Sequence, residues 1–194
     1  CLQILRDLEC PMVKGNHDEE ASTNTPLGVM NPLAKQALEW TRENLTRDDK
    51  EWLANVKLVR QVRHFTIFHA TLDTPGSWGY VTNKFDAMAS FSYQFTPICF
   101  YGHTHTPKVY VKGDSVEVLD ADEVQIEPSK KYFINVGSVG QPRDGDWRSS
   151  YAIYDVGNQK VNFRRLDYDL KTAQSKIIDA GLPEMLANRL AVGK

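Results

Sequence analysis

The 194-residue chain lacks the features that mark several whole classes of protein. Its three cysteines, Cys1, Cys10 and Cys99, are scattered, odd in number and without a CxxC spacing. This excludes a disulfide framework or a cysteine zinc ribbon, and the thiols read as reduced side chains of a cytoplasmic protein. No apolar run approaches the roughly 20 residues of a membrane helix, so no membrane is expected as a partner. With 23 Lys and Arg against 25 Asp and Glu, the net charge is −2, and there is no basic field to gather a nucleic acid polymer. Internal repeats, low-complexity tracts and linker-like stretches are missing as well. Residues 1–194 therefore read as a single domain.

The composition is 41% hydrophobic and 25% charged, which is ordinary for a globular protein and ample for a core. Leu2, Ile4, Leu5 and Leu8 form an apolar stripe at helical spacing from the first residues on. A helix that starts without a capping residue leads us to expect a fragment of a longer polypeptide. Residues 11–14 read as a short buried strand ending at Gly15. Asn31-Pro32 opens a helix and Thr46 caps another. Residues 58–63 and 64–69 read as paired strands. Residues 83–94 read as a helix burying Phe85, Met88, Ala89 and Phe91, and 97–101 as a buried strand. From Lys108 the period becomes two, through Val109, Val111, Val116, Val118, Val124 and Ile126. Strands continue to Leu166, and a helical segment from Leu170 breaks at Gly181-Leu182-Pro183. Helices early and late with strands between predict a layered α/β domain.

Chemistry concentrates on the five histidines. His17 lies in Gly15-Asn16-His17-Asp18, His69 follows Phe68, and His103 and His105 lie in Gly102-His103-Thr104-His105. Each group sits where an apolar segment ends, the position at which crevices form along an α/β sheet. Imidazole is the commonest ligand of transition metals, and histidines at i and i+2 can project to one side of an extended segment. The amide oxygen of Asn16 suits manganese, iron or zinc in a mixed nitrogen and oxygen shell. Singly, each such histidine is more often an ordinary hydrogen-bonded residue; four of five placed this way point to a metal site. His64, with no glycine turn beside it, is assigned to structure.

The ordered set Gly15-Asn16-His17-Asp18, His69 and Gly102-His103-Thr104-His105 resembles the later metal-binding motifs of calcineurin-like metallophosphoesterases. The stretch Ile134-Asn135-Val136-Gly137-Ser138-Val139-Gly140-Gln141-Pro142-Arg143 is similar to a signature of their compact prokaryotic branch of phosphodiesterases and protein phosphatase-like proteins. The resemblance implies a four-layer α-β-β-α sandwich of two mixed sheets flanked by helices. It also implies hydrolysis of a small phosphorylated substrate, a phosphodiester or phosphomonoester, by a hydroxide held between two divalent ions (Mn, Fe or Zn). Asn16, His69 and His103 would hold one ion and His105 would help hold the other. His17 would stabilise the phosphate or protonate the leaving oxygen, with Asp18 orienting it.

The family's two earlier motifs, an Asp-x-His and a Gly-Asp-x-x-Asp segment on the first two strands, do not occur in this sequence, which thus carries half of a binuclear site. Two other readings remain open from the residues: a non-catalytic descendant that binds a phosphorylated ligand or a protein, and a mononuclear zinc protein using His69, His103 and His105. Arg143 could fork onto a substrate phosphate or pair with Asp144 or Asp146. Trp78 and Tyr80 could wall an aryl or nucleoside group, though such aromatics more often cap a core.

Overall fold

The computed structural model describes residues 1–28 and 30–194. Four helices come first: α1 (Leu2–Leu8), α2 (Asn16–Ser22), α3 (Pro32–Asn44) and α4 (Arg47–Ala54). The expected caps form, Asn31 accepting from the Leu33 N–H and Thr46 from the Asp49 N–H. Strands β1 (Val59–Val62) and β2 (Phe65–Phe68) follow, then α5 (Lys84–Ser92) and β3 (Ile98–Tyr101). A run of strands comes next: β4 (Lys108–Lys112), β5 (Val116–Leu119), β6 (Glu123–Gln125), β7 (Lys131–Asn135), β8 (Ser149–Asp155) and β9 (Lys160–Leu166). The chain closes with α6 (Leu170–Asp179) and α7 (Glu184–Asn188).

Two sheets result. The larger has the order β1-β2-β3-β7-β4-β5, and the smaller β6-β9-β8. The larger is mixed: β2, β3 and β7 run parallel, while β1, β4 and β5 are antiparallel to their neighbours. The smaller is antiparallel in both of its pairings. Alternation along the parallel strands divides the core in two. Phe68, Cys99, Tyr101, Tyr110 and Phe133 face one way and pack with Ala87 and Phe91 of α5. Ile98, Val109, Val111, Tyr132 and Ile134 face the other way, onto Val124 and Val161 of the smaller sheet. Burying each of the Val, Ile and Phe side chains among these contributes about 1.5–3 kcal/mol. The outcome is a two-sheet sandwich flanked by helices.

Two local expectations need correction. Residues 11–14 form no strand; Lys14 donates its N–H to the Lys57 carbonyl and the segment is otherwise irregular. On α5 the buried face is Ala87, Ser90 and Phe91, while Phe85 and Met88 are 71% and 51% exposed and Ala89 is exposed as well. That helix is apolar on both sides, so periodicity alone does not choose the face that meets the sheet. The α1 stripe likewise stays largely in solvent, with Ile4 64% and Leu8 63% exposed.

β2, β3 and β7 lie side by side with their C-terminal ends on one edge, and His69, Gly102 and Asn135 stand there. Just beyond β7, Gly137 has φ +79°, and a Cβ on it would lie 2.7 Å from Ser150 Cβ and 2.9 Å from Pro107 Cγ. Strain and overlap together make any side chain here costly. Gly137→Ala is expected to lower the unfolding free energy in urea by about 2–4 kcal/mol; a change below about 0.5 kcal/mol would show that the β7 turn can relax.

Candidate metal centre

Asn16 and His17 open α2, and Asp18 accepts the Gly15 N–H at 2.8 Å, closing the first helical turn. Gly15 is buried, and a Cβ there would stand 2.9 Å from the His69 ring, so the missing side chain lets helix and imidazole approach. His69 directly follows β2, and its carbonyl accepts the Gly102 N–H at 3.0 Å, joining it to the turn after β3. In that turn His103 and His105 both adopt left-handed backbone, with φ +64° and +62°. Such backbone is costly for residues with a Cβ, of order 1–3 kcal/mol each, and persists where surrounding structure enforces it.

Donor atoms meet at His69. Its Nε2 lies 3.1 Å from Asn16 Oδ1 and 3.1 Å from His103 Nδ1. His103 Nε2 stands 3.0 Å from the Trp78 carbonyl, which can only accept, so Nε2 carries the proton and Nδ1 presents a bare lone pair. His69 Nε2 thus faces two acceptors, and one proton can satisfy only one of them. His105 Nδ1 lies 2.7 Å from the Gln141 carbonyl, which by the same logic leaves Nε2 bare. A backbone carbonyl behind each imidazole is the usual support of a metal-ligating histidine.

Electrostatics keeps these rings neutral. Burial, followed by the nearby His103, His105 and His17, pushes His69 down to about 4. Burial also pushes His105 down to about 4, against the bond to Gln141 and with Arg143 adding repulsion. His103 is lowered too, chiefly by burial. Neutral imidazole is the form that binds metal.

Among the described residues, no three His, Cys, Asp or Glu side chains converge closely enough to hold a metal ion by themselves. The convergent set is two imidazoles and the Asn16 amide. Metal–nitrogen bonds of roughly 2.0–2.1 Å place adjacent donors roughly 3.0–3.4 Å apart, and the two 3.1 Å separations fall in that range. By donor chemistry and spacing these three side chains could hold one divalent cation.

The remaining expected residues fall around this group. His17 is exposed, yet near enough to lower the proton affinity of His69, His103 and His105. The carboxylate of Asp18 is engaged by the Gly15 N–H and closes the helix turn that carries Asn16 and His17, and among the described residues no hydrogen bond joins it to His17. Arg143 donates to Gln141 Oε1 from Nε and Nη2 at 3.2 and 2.9 Å. Asp144 pairs instead with Arg165, and Asp146 with Arg148 at 2.7 Å. Tyr80 lies over His103 with ring centroids 4.2 Å apart and is 57% exposed, so it walls the site and caps no core. Two further residues of the Asn135-to-Arg143 stretch support the site. Gln141 fixes the His105 tautomer through its backbone and holds Arg143 through its side chain. Asn135 is fully buried against the His103 turn. The turn residues around both were the signal available, but sequence gives no direction to a side chain.

Residues 1–159 match the calcineurin-like phosphoesterase superfamily domain. The chain belongs to this family. This calcineurin-like phosphoesterase is 32% identical over 198 residues to the uncharacterized protein MJ0912 of Methanocaldococcus jannaschii, a match covering 100% of this chain and 80% of that protein. The crystal structure of a metallophosphoesterase from Sphaerobacter thermophilus superposes with a TM-score of 0.84 at 33% identity, over 100% of this chain and 81% of the other. The hypothetical protein PH1004 from Pyrococcus horikoshii OT3, at 18% identity and TM-score 0.74, covers 100% of this chain with 77% of its own and shares the fold. The family as a whole supports metal-dependent phosphoester hydrolysis. Among the described residues, no helix of the phosphoesterase is long and apolar enough to cross a membrane.

The depressed imidazoles make stability depend on pH. An unfolded histidine takes up its proton near pH 6.5, whereas folded His69 and His105 resist it to about 4. Their neutral burial is therefore fully compatible with folding above about pH 6.5, and stability is lost as pH falls from there toward 4. The urea midpoint of the metal-free protein is expected to drop between pH 7 and pH 5, and to drop less in a His69→Gln/His105→Gln double variant. Equal slopes in the two proteins would contradict the assignment.

Proposed function

We propose that the function is hydrolysis of esters of a small phosphorylated substrate with two divalent ions, of which Mn, Fe and Zn suit the donors, and that this chain supplies half of their ligands. The carrying observation is the meeting of Asn16 Oδ1, His69 Nε2 and His103 Nδ1, with His103 committed to one tautomer. When bound, such ions supply Lewis acidity and a nucleophile from water at neutral pH. Asn16, His69 and His103 would hold the first ion, and the bare Nε2 of His105 would help to hold the second.

The chain's own residues handle the ester. Arg143 is held by a neutral amide oxygen and forms no ion pair within the described residues, so its guanidinium retains charge for a phosphate oxygen. His17, exposed at the first turn of α2, stabilises the phosphate or gives a proton to the departing oxygen. Asp18 keeps that turn closed. No Ser or Cys nucleophile is required: Cys99 lies in the core, and burial pushes its thiol up to about 11. The free thiols of Cys1, Cys10 and Cys99 support a cytoplasmic setting.

Metal content and hydrolysis of an aryl phosphodiester, measured on this chain and on one extended upstream by the two earlier motifs, test the reading together, with two ions and turnover expected in the longer form. His17→Ala is expected to lower turnover about 10²–10⁴-fold while leaving metal stoichiometry unchanged. Equal loss of metal and activity would make His17 a ligand instead. A wild-type chain that holds one zinc through His69, His103 and His105 and turns over substrate would replace the binuclear reading, and folded short and extended forms that both bind no metal would refute it.

A further inference from the structure

Asn135 is the last residue of β7, fully buried, with its side chain bonded at every polar atom. Nδ2 donates to the Gly102 carbonyl at 2.5 Å and to Thr104 Oγ1 at 2.9 Å. Oδ1 accepts the Gly137 N–H at 2.9 Å. Two of these three bonds grip the turn that carries His103, one on each side of it. That turn is the segment in which two residues with a Cβ hold left-handed backbone. Gly102 is also the residue whose N–H reaches the His69 carbonyl. One amide therefore links the ends of β3 and β7 to the segment that must bring His103 Nδ1 opposite His69 Nε2.

An ordinary core position would be filled by an apolar residue, because a buried amide returns its desolvation cost only if fully bonded. Here full bonding is achieved solely by directing both N–H groups at the turn. We infer that Asn135 is a positioning residue for the metal centre: it holds the strained Gly102–Thr104 backbone in the one conformation that aligns the imidazoles of His69 and His103. This role rests on the proposed metal site, but it acts on ring placement whether or not a cation is bound.

Asn135→Asp separates positioning from packing. The side chain keeps its shape, and its oxygen still accepts the Gly137 N–H. The Thr104 hydroxyl can turn to donate. Only the bond to the Gly102 carbonyl is lost, replaced by two facing oxygens. Long-range proton–nitrogen NMR reads the imidazole tautomers of the metal-free chain, and titration with Co(II) reads metal affinity by visible absorption. The wild type is expected to show His103 solely as the Nε2–H tautomer. In Asn135→Asp this tautomer is expected to mix with the Nδ1–H form, and Co(II) affinity is expected to fall at least tenfold. Thr104→Val, which removes one acceptor without touching β7, should shift both readouts in the same direction by less, and it decides the matter if Asn135→Asp does not fold.

Unchanged tautomers and unchanged affinity in a folded variant would overturn the inference. If the wild type binds no Co(II) while its ordered tautomers are lost in the variant, the metal reading fails and the positioning role stands.

Discussion

A single imidazole nitrogen faces two acceptors, and the candidate site is organised around that mismatch. His69 Nε2 has Asn16 Oδ1 and His103 Nδ1 each at 3.1 Å, while His103 has spent its one proton on the Trp78 carbonyl. Burial removes the simple remedy of a second proton, because it holds His69 near 4 and lowers His103 as well. Lone pairs gathered in this way are destabilising unless something electron-poor sits among them. A divalent cation would satisfy all three.

The fold supplies the convergence. Three neighbouring parallel strands end on one sheet edge, and the hydrogen bond from the Gly102 N–H to the His69 carbonyl ties two of those ends together. α2 brings Asn16 from outside the sheet, and the absent side chain of Gly15 admits it against the His69 ring. The loop after β7 returns across the site, where Gln141 holds both His105 and Arg143. Strain in the His103–His105 turn is offset by the core beneath it, where Tyr101, Phe133 and Tyr110 are buried behind the same strand ends.

Much of this was legible in the residues. Glycine before Asn16 marked the close approach of α2 to His69, and period-two alternation marked β4 and β5. What sequence could not give was side-chain direction. Apolar residues lie on both sides of α5, so the exposure of Phe85 and Met88 depended on which side the sheet took. Arg143 stood beside two aspartates in sequence, yet each aspartate found another arginine in space. The left-handed backbone at His103 and His105 lay beyond sequence reasoning, since glycine is the residue expected there. Asn135 stood within the stretch that resembles the family signature, but nothing in the sequence gave its side chain a direction or a partner.

X-ray absorption on the zinc-loaded chain tests the central claim most directly, because it counts imidazoles around the ion. The account requires backscattering from at least two histidine rings, with nitrogen at about 2.0–2.1 Å and an oxygen donor beside them. A shell of oxygens alone, without imidazole scattering, would contradict it.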